Sequence, residues 1–221
     1  MRTKKDTLII VNKLKSAYPA AICSLSYEQA WQLMVSVRLS AQCTDARVNV
    51  VTEILFDKYP TLQSLAMATP EEIEAIVKPC GLGKSKARDI YGATNMVLNE
   101  YNGIVPMDME ELLRLPGVGR KSANLIRGDI YGLPAVVADT HCIRIANRIG
   151  FVASTDPVKV EDALVKVLPP EESGDFCHRC VLHGRAVCTA RKAFCDKCNL
   201  NDICRTGIKA VKSLQGGSTD M

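Results

Sequence analysis

The sequence predicts an all-α protein, and three observations point to that fold class. Apolar residues recur every three or four positions along most of the 221-residue chain, which is the periodicity of helices with one buried face. Helix-start signatures recur as well, in which a capping residue precedes an acidic or amide residue by three positions. Runs of β-branched residues are almost absent, and the best candidate strand, Ala135-Val136-Val137, is too short to form a sheet. We therefore expect about ten helices joined by short turns.

Capping and helix-breaking residues set the helix boundaries before residue 102. Ser26 has Gln29 three positions on, the spacing of a capping box, so we expect the second helix to begin there. Thr69-Pro70-Glu71-Glu72 combines a cap, a proline at the first helical position and an acid, and Cys80-Gly81-Leu82-Gly83 ends the helix that it opens. The predicted helices are residues 4–17, 26–39, 45–59, 61–68, one that begins at Pro70, and 84–101.

A glycine turn between two short helices is the most informative stretch of the chain. Leu115-Pro116-Gly117-Val118-Gly119 cannot continue a helix at low cost, because proline and glycine both disfavour it. Asp108 can cap the helix before the turn, residues 109–114, and residues 122–131 have helical apolar spacing after it. The glycine N–H groups would then lie exposed at a helix N-terminus, where a phosphate is stabilised. Lys121 follows two residues later.

The residues after the turn predict three more helices. These helices cover residues 140–149, 157–168, and a stretch from about 174 into a cysteine-rich region. Asp139 immediately precedes the first of them, where a carboxylate can cap the helix and is stabilised by its dipole. The tail Gly216-Gly217-Ser218-Thr219 is expected to be disordered.

Composition indicates a globular protein with an uneven distribution of charge. The chain is 47% hydrophobic and 24% charged, and its net charge is +4. No run approaches the roughly eighteen apolar residues of a membrane span, and the basic N-terminus lacks the apolar core of a signal peptide. From Cys177 to the end there are eight Lys or Arg against three Asp or Glu. That excess suits a polyanionic partner, although a solvated helical surface would give the same pattern.

Four cysteines near the C-terminus have the spacing of metal ligands. They follow one another as C-x6-C-x2-C-x5-C: Cys188, Cys195, Cys198 and Cys204. Short loops of this kind let a chain surround one metal centre, and the spacing alone leaves zinc and a four-iron cluster open. Ten cysteines in a chain without an export signal argue against a disulfide framework.

The remaining cysteines are expected to be structural. Cys177 and Cys180 form a second Cys-x2-Cys, which could be an extra ligand pair. We favour buried helix residues, because the four later cysteines already complete one centre. The others are isolated in sequence: Cys23, Cys43, Cys80 and Cys142.

Five segments in this order resemble the endonuclease III family of helix-hairpin-helix DNA glycosylases. They are Leu39-Ser40-Ala41-Gln42, Gly81-Leu82 with Lys86-Ala87, the hairpin from Leu115 to Asn124, Asp139-Thr140-His141 with Arg144, and the cysteine loop. The resemblance implies a bifunctional DNA glycosylase of base excision repair. Such an enzyme excises oxidised pyrimidines through a lysine Schiff base and cleaves the abasic strand by β-elimination. It also implies two lobes with a DNA cleft between them, Lys121 on one wall and Asp139 on the other. The lobes are a helical barrel at 22–135, with the helix-hairpin-helix at about 108–131, and an iron–sulfur domain from 1–21 and 136–221.

The resemblance also assigns roles to residues of this chain. Lys121 is the expected nucleophile, and Asp139 is expected to activate it and to stabilise positive charge on the sugar. Gln42 and Leu82 resemble residues that fill the gap left by a flipped-out base. The DNA-backbone contacts would be Gly117, Val118, Gly119, Arg120, and Arg191 with Lys192 in the first cysteine loop. The four loop cysteines would hold a structural [4Fe-4S] cluster.

Elementary chemistry agrees with these roles and defines the alternatives. A lysine amine must be neutral to attack the sugar, and the positive end of a helix, a neighbouring Arg120 and a desolvated interface all favour the neutral form. Arginine could not replace lysine in this role. The alternatives are that Lys121 only contacts phosphate and that Leu82 is a core leucine. For His141 we expect a hydrogen-bonded structural residue and not an acid or base.

Two other functions remain open for the sequence. A monofunctional mismatch-specific glycosylase would use Asp139 and water, and Lys121 argues against it. A non-catalytic DNA-binding iron–sulfur module would need neither residue. Ala138 and Cys43 depart from the family pattern beside the site, which concerns the substrate pocket and not the reaction. We expect a monomer in a prokaryotic cytoplasm, associated with the nucleoid, that binds double-stranded DNA with an oxidised pyrimidine or abasic site and binds no membrane.

Overall fold

The computed structural model describes residues 2–216, with side chains up to residue 211. In this part of the chain there are twelve α-helices and no β-strand, so the all-α prediction is confirmed. The helices are α1 (Lys4–Ala17), α2 (Ala30–Ser40), α3 (Asp45–Lys58), α4 (Leu62–Ala66), α5 (Pro70–Val77), α6 (Gly83–Glu100), α7 (Met109–Arg114), α8 (Arg120–Tyr131), α9 (Thr140–Ile149), α10 (Pro157–Val167), α11 (Ser173–Ala186) and α12 (Arg205–Gly216). Of the tail predicted to be disordered, Gly216 is the last residue of α12, so the prediction is wrong there, and residues 217–219 lie outside the described residues. No described helix is long and apolar enough to cross a membrane.

The helices form two compact units. The unit Cys23–Gly132 contains α2 to α8, and the unit of Met1–Ile22 with Leu133–Met221 contains α1 and α9 to α12. In the first unit α2 is the central helix, because eight of its eleven residues are buried. A helix that is apolar around most of its circumference can only be accommodated inside a core.

Local capping chemistry determines most helix starts as predicted. The Thr69 hydroxyl accepts a hydrogen bond from the N–H of Glu72, and the Glu72 carboxylate accepts one from the N–H of Thr69 at 2.8 Å. These hydrogen bonds lower the pKa of Glu72, and the bond from the Thr69 backbone N–H has the largest effect. Asp108 and Asp139 cap α7 and α9 through their side chains. Each cap satisfies N–H groups that the first helical turn leaves without a partner.

The predicted start of the second helix at Ser26 is wrong. The Ser26 N–H donates to the side-chain oxygen of Asn49 at 3.0 Å, which fixes it to α3. The helix begins four residues later, at Ala30, where the Gln32 side chain accepts the N–H groups of Glu28 and Gln29. A second difference is α12, which the sequence did not predict. At Ser26 the contact with a distant segment outweighs the local signal.

A buried ion network joins α1 to α11 in the second unit. The Arg179 side chain is 2% exposed and contacts Glu172 at 2.5 Å and Asp175 at 2.6 Å. Glu172 also contacts Lys15 of α1 at 2.5 Å. Burial raises the pKa of Glu172, but the bonds to Lys15 and Arg179 outweigh it, so the pKa is lowered. Pairing on this scale is what makes a buried guanidinium tolerable.

We expect Glu172→Gln to lower the free energy of unfolding by roughly 1–3 kcal/mol near neutral pH, because it leaves Arg179 with a weaker acceptor. Since the pKa of Glu172 is lower in the folded state, its contribution is present above the unfolded-state pKa and disappears as pH falls through the folded-state pKa. Urea unfolding near pH 7 and near pH 3 measures this difference. Asp175→Asn, at a side chain that is 54% exposed, is the control and should cost less. Identical unfolding curves for Glu172→Gln and the unmodified protein would contradict the prediction.

Candidate functional site

The predicted helix-hairpin-helix is present, with a buried underside and an exposed turn. Leu112, Leu115 and Val118 are buried, and the Val118 N–H donates to the Leu115 carbonyl at 3.0 Å. Val118 therefore stabilises the turn with both its side chain and its N–H, and its predicted contact with the DNA backbone stays a prediction. The exposed residues are Gly117, Gly119, Arg120 and Lys121.

The two glycines of the turn differ in backbone conformation and in the space around them. Gly117 has a φ of +77°, and a Cβ there would lie 2.4 Å from Cδ of Arg38. Gly119 has a φ of −100°, and nothing lies within 4 Å of where its Cβ would be. The fold therefore requires glycine at 117. At 119 it does not, and the open space leaves room for a ligand at the N-cap of α8.

Arg38 covers the inner side of the turn. Its guanidinium contacts the carboxylate of Asp89 on α6 with N–O distances of 2.6 and 2.7 Å, and it reaches Ser85 at 3.4 Å. The pair is mostly buried, with side-chain exposures of 16% and 28%. This ion pair fixes the position of the guanidinium against which Gly117 packs.

Lys121 is exposed in the first turn of α8, one residue after Arg120. No side chain of the described Cys23–Gly132 unit forms an ion pair with its ammonium. The first turn of α8 contains no acidic residue. The position combines an amine with a helix end that attracts anions.

The two predicted wedge residues share an unusual backbone conformation. Gln42 has a φ of +56° and Leu82 a φ of +51°, and both are exposed. Among described residues only Asn102 joins them as a non-glycine residue with positive φ. The left-handed conformation costs an L-residue roughly 1–2 kcal/mol. Leu82 is 57% exposed, so the alternative that it is a core leucine is wrong.

Asp139 lies in the other unit and caps α9 as predicted. Its carboxylate accepts the N–H of Cys142 at 2.6 Å, and it is half-buried. The candidate strand before it, residues 135–137, is a buried segment without strand pairing, whose Val137 N–H donates to the Cys177 thiol at 3.2 Å. His141 lies 3.1 Å from a guanidinium nitrogen of Arg144, which agrees with a structural role.

The four loop cysteines line one cavity. An Arg148 guanidinium N–H donates to the Cys188 sulfur at 3.2 Å, and a ring nitrogen of His183 lies 3.5 Å from the Cys198 sulfur. The cavity wall also contains apolar residues: Ile145, Ile149, Val187, Phe194 and Leu200. Within residues 2–216 no three potential ligands converge on the position of a single metal ion. Two side chains of the second unit, Arg148 and His183, thus lie within hydrogen-bonding distance of cysteine sulfurs in this cavity.

Cys177 and Cys180 do not line that cavity. Both are buried in α11, and the Cys177 sulfur lies 4.0 Å from that of Cys142. The hydrogen bond with the Cys142 thiol, together with burial, raises the pKa of Cys177. They are buried helix residues in this structure, as we favoured.

The basic loop between the first two cysteines is ordered by Arg148. This guanidinium donates to the carbonyls of Thr189 at 2.7 Å and of Ala190 at 3.4 Å. The loop leaves Arg191 and Lys192 exposed. The sequence did not identify Arg148, although it lies one helical turn after Arg144, which also bonds to the loop at the Cys188 carbonyl. That i,i+4 spacing of arginines is the signal that could have revealed it.

The structure thus gathers the hairpin residues in one unit and the four cysteines in the other. Lys121 belongs to the first unit and Asp139 to the second. Arg38 and Lys86, which anchor the turns of the first unit from inside, had not been given a role.

Known proteins resemble this chain in sequence and in fold. Residues 35–170 match the family described as "HhH-GPD superfamily base excision DNA repair protein". Endonuclease III of Synechocystis sp. is 45% identical over 200 residues, which cover 90% of each chain. Endonuclease III of Bacillus subtilis is 38% identical over 213 residues, covering 96% of this chain and 97% of its own.

A solved structure described as a trapped endonuclease III–DNA covalent intermediate superposes on the chain with a TM-score of 0.87. The two are 40% identical, and the match covers 96% of this chain and all of the other. Family profile, sequence identity and fold agree over most of the length. The chain therefore belongs to the HhH-GPD superfamily of base excision DNA repair proteins and, within it, to the endonuclease III family.

Proposed function

We propose that the chain is a bifunctional DNA glycosylase and abasic-site lyase of base excision repair. Its substrate is double-stranded DNA with an oxidised pyrimidine or an abasic site. The observation that carries the lyase assignment is Lys121, an exposed amine directly behind an anion-binding glycine turn, in a chain 40% identical to a protein trapped in a covalent complex with DNA. A monofunctional glycosylase would have no use for an amine there.

DNA binding precedes the chemistry. The open space at Gly119 admits a backbone phosphate to the N-terminus of α8, where helix N–H groups and Arg120 balance its charge. This contact reads no base sequence, so it suits an enzyme that must work anywhere on DNA. The damaged nucleotide then leaves the stack, and Gln42 and Leu82 fill the space that it vacates.

Base release and strand cleavage both pass through Lys121. Its neutral amine attacks C1′ while the glycosidic bond breaks and the base leaves with its electron pair and takes up a proton. Ring opening and loss of a proton give the Schiff base between Lys121 and C1′. Removal of a C2′ proton then expels the 3′ phosphate by β-elimination, and water hydrolyses the imine. Asp139 accepts the amine proton and balances positive charge on the sugar.

The four loop cysteines fit a [4Fe-4S] cluster, which would supply structural cross-linking of the loop. All four sulfurs line one cavity, and Arg148 and His183 can hydrogen-bond ligand sulfurs. Burial raises the pKa of Cys195 and Cys198. Cysteine must lose its proton to bind a metal, so folding of the loop and metal binding would be coupled. Arg191 and Lys192, carried on the same loop, provide a further phosphate contact.

We place this activity in the prokaryotic cytoplasm, at the nucleoid, and expect the protein to act as a monomer. The relatives named above come from bacteria, and the repair activity proposed here requires access to chromosomal DNA.

Borohydride should trap the unmodified protein on a duplex that contains thymine glycol, and Lys121→Ala should abolish the adduct, because no other amine occupies that position. Lys58→Ala, at an exposed lysine of the same unit, is the control. Asp139→Asn should slow trapping by about a hundredfold or more. Base release that leaves the strand intact in the unmodified protein would favour the monofunctional alternative, and an undiminished adduct with Lys121→Ala would exclude Lys121 as the nucleophile.

Substitutions at the two turn glycines should have opposite effects. Gly119→Asp keeps a good N-cap residue in open space, so the free energy of unfolding should change by less than about 0.5 kcal/mol. Its carboxylate would repel a phosphate, and affinity for duplex DNA should fall at least about tenfold. Gly117→Ala should instead destabilise the fold by roughly 1–2 kcal/mol, through its positive φ and its contact with Arg38. Thermal unfolding and fluorescence anisotropy with labelled duplex measure the two effects, and unchanged DNA affinity of Gly119→Asp would refute the phosphate site.

Protein purified without oxygen should contain about four irons per chain and show broad visible absorption. Cys198→Ser should lose the iron, since it removes a cavity ligand. Cys177→Ser is the matched control and should keep it, because that thiol lies outside the cavity. Metal analysis that finds zinc, or equal iron loss in the two variants, would overturn the assignment.

A further inference from the structure

Lys86 is a charged residue with no exposure to solvent. Its side chain on α6 is 0% exposed, and its ammonium donates to the carbonyls of Leu39 and Cys80, each at 2.8 Å. Leu39 lies three residues before Gln42, and Cys80 lies two residues before Leu82. One ammonium group therefore joins the backbones of the two turns that carry the wedge residues.

A buried ammonium is costly, so its presence requires a reason. Among described residues no carboxylate forms an ion pair with Lys86, and desolvation lowers its pKa while the thiols of Cys43 and Cys80 act in the opposite direction. The ammonium instead donates hydrogen bonds to carbonyls at the C-terminal ends of α2 and of the 3-10 turn Lys78–Cys80. Such carbonyls lack helical partners and carry the negative end of the helix dipole. An apolar side chain would fill the space but would leave both carbonyls unsatisfied.

The two turns that Lys86 joins both contain a strained backbone, which the surrounding structure must hold in place. Gln42 and Leu82 both have left-handed backbones, a conformation that persists only where surrounding structure holds it. Ordered backbone follows both anchored carbonyls: the Cys43 N–H donates to the Ser40 carbonyl at 3.1 Å and closes a tight turn, and the Lys86 N–H donates to the Leu82 carbonyl at 3.0 Å, the first helical hydrogen bond of α6. Lys86 is thus bonded to the Leu82 turn through its backbone and to both turns through its side chain.

We propose that Lys86 is a positioning residue that holds the turns carrying Gln42 and Leu82 in one fixed arrangement. Both side chains then enter the DNA together when the damaged nucleotide leaves the helix. This inference rests on the wedge roles in the proposed function and adds to it the element that sets their spacing. Lys86 itself touches no DNA, because it is fully enclosed.

The test compares a substrate that needs wedges with one that does not. Lys86→Met keeps the length of the side chain and removes the donor. Single-turnover excision from a lesion-containing duplex should fall at least about tenfold, which corresponds to 1.4 kcal/mol. Borohydride trapping on a single-stranded abasic oligonucleotide, which has no stack or opposite base to replace, should stay within about twofold of the unmodified protein. Lys58→Met is the matched control, since Lys58 is an exposed lysine of the same unit.

A double-mutant cycle separates positioning from general stability. Gln42→Ala with Leu82→Ala should reduce duplex excision strongly in the unmodified protein and much less in the Lys86→Met background, because the wedges are already misplaced there. Should Lys86→Met fail to fold, Lys86→Gln, which keeps a neutral donor, undergoes the same comparisons. Equal losses on duplex and single strand, additive effects in the cycle, or no loss on duplex would each overturn the inference. Absence of trapping in the unmodified protein would instead refute the proposed function.

Discussion

The burial of polar side chains between α2 and α6 is the constraint on which the first unit depends. Lys86 satisfies two carbonyls at element ends, and the Arg38–Asp89 pair lies under Gly117. Burying these charges is costly, and their hydrogen bonds to carbonyls and to each other offset that cost only in this arrangement of the turns. Helix α6 thereby fixes three turns with side chains from two successive helical turns: the Gln42 turn, the Leu82 turn and the hairpin. Departures from an apolar core are expected where a fold must present a functional surface.

Helix α9 organises the second unit in a comparable way. Asp139 is at its N-terminus, and Arg144 and Arg148 follow along the helix and bond to the cysteine loop. The helix therefore gives a fixed geometry to an acid at one end and to a basic, cysteine-bearing loop along its side. Both arginines donate to carbonyls, which are acceptors that the loop cannot satisfy by itself because it has almost no secondary structure.

The sequence predicts what is encoded locally. Caps at Thr69, Asp108 and Asp139 involve residues within three positions of each other, so spacing alone reveals them. The false start at Ser26 and the anchoring by Lys86 depend on partners 23 and 47 residues away, which no local pattern records. The same limit applies to the site. The resemblance supplied the identities of the wedge residues, whereas their left-handed backbones became visible only in the structure.

The first turn of α8 contains residues that do not stabilise the fold, and such residues can reveal a functional site. The helices α5 and α7 place acids in their first turns, where the positive end of the helix dipole favours them. Helix α8 instead begins with Arg120 and Lys121, two cations at the end that disfavours cations, behind a Gly119 whose empty surroundings serve no packing purpose. An anion bound at this end reverses the sign of that unfavourable interaction. Two cations beside an open helix N-terminus are therefore the pattern expected of the phosphate contact proposed above.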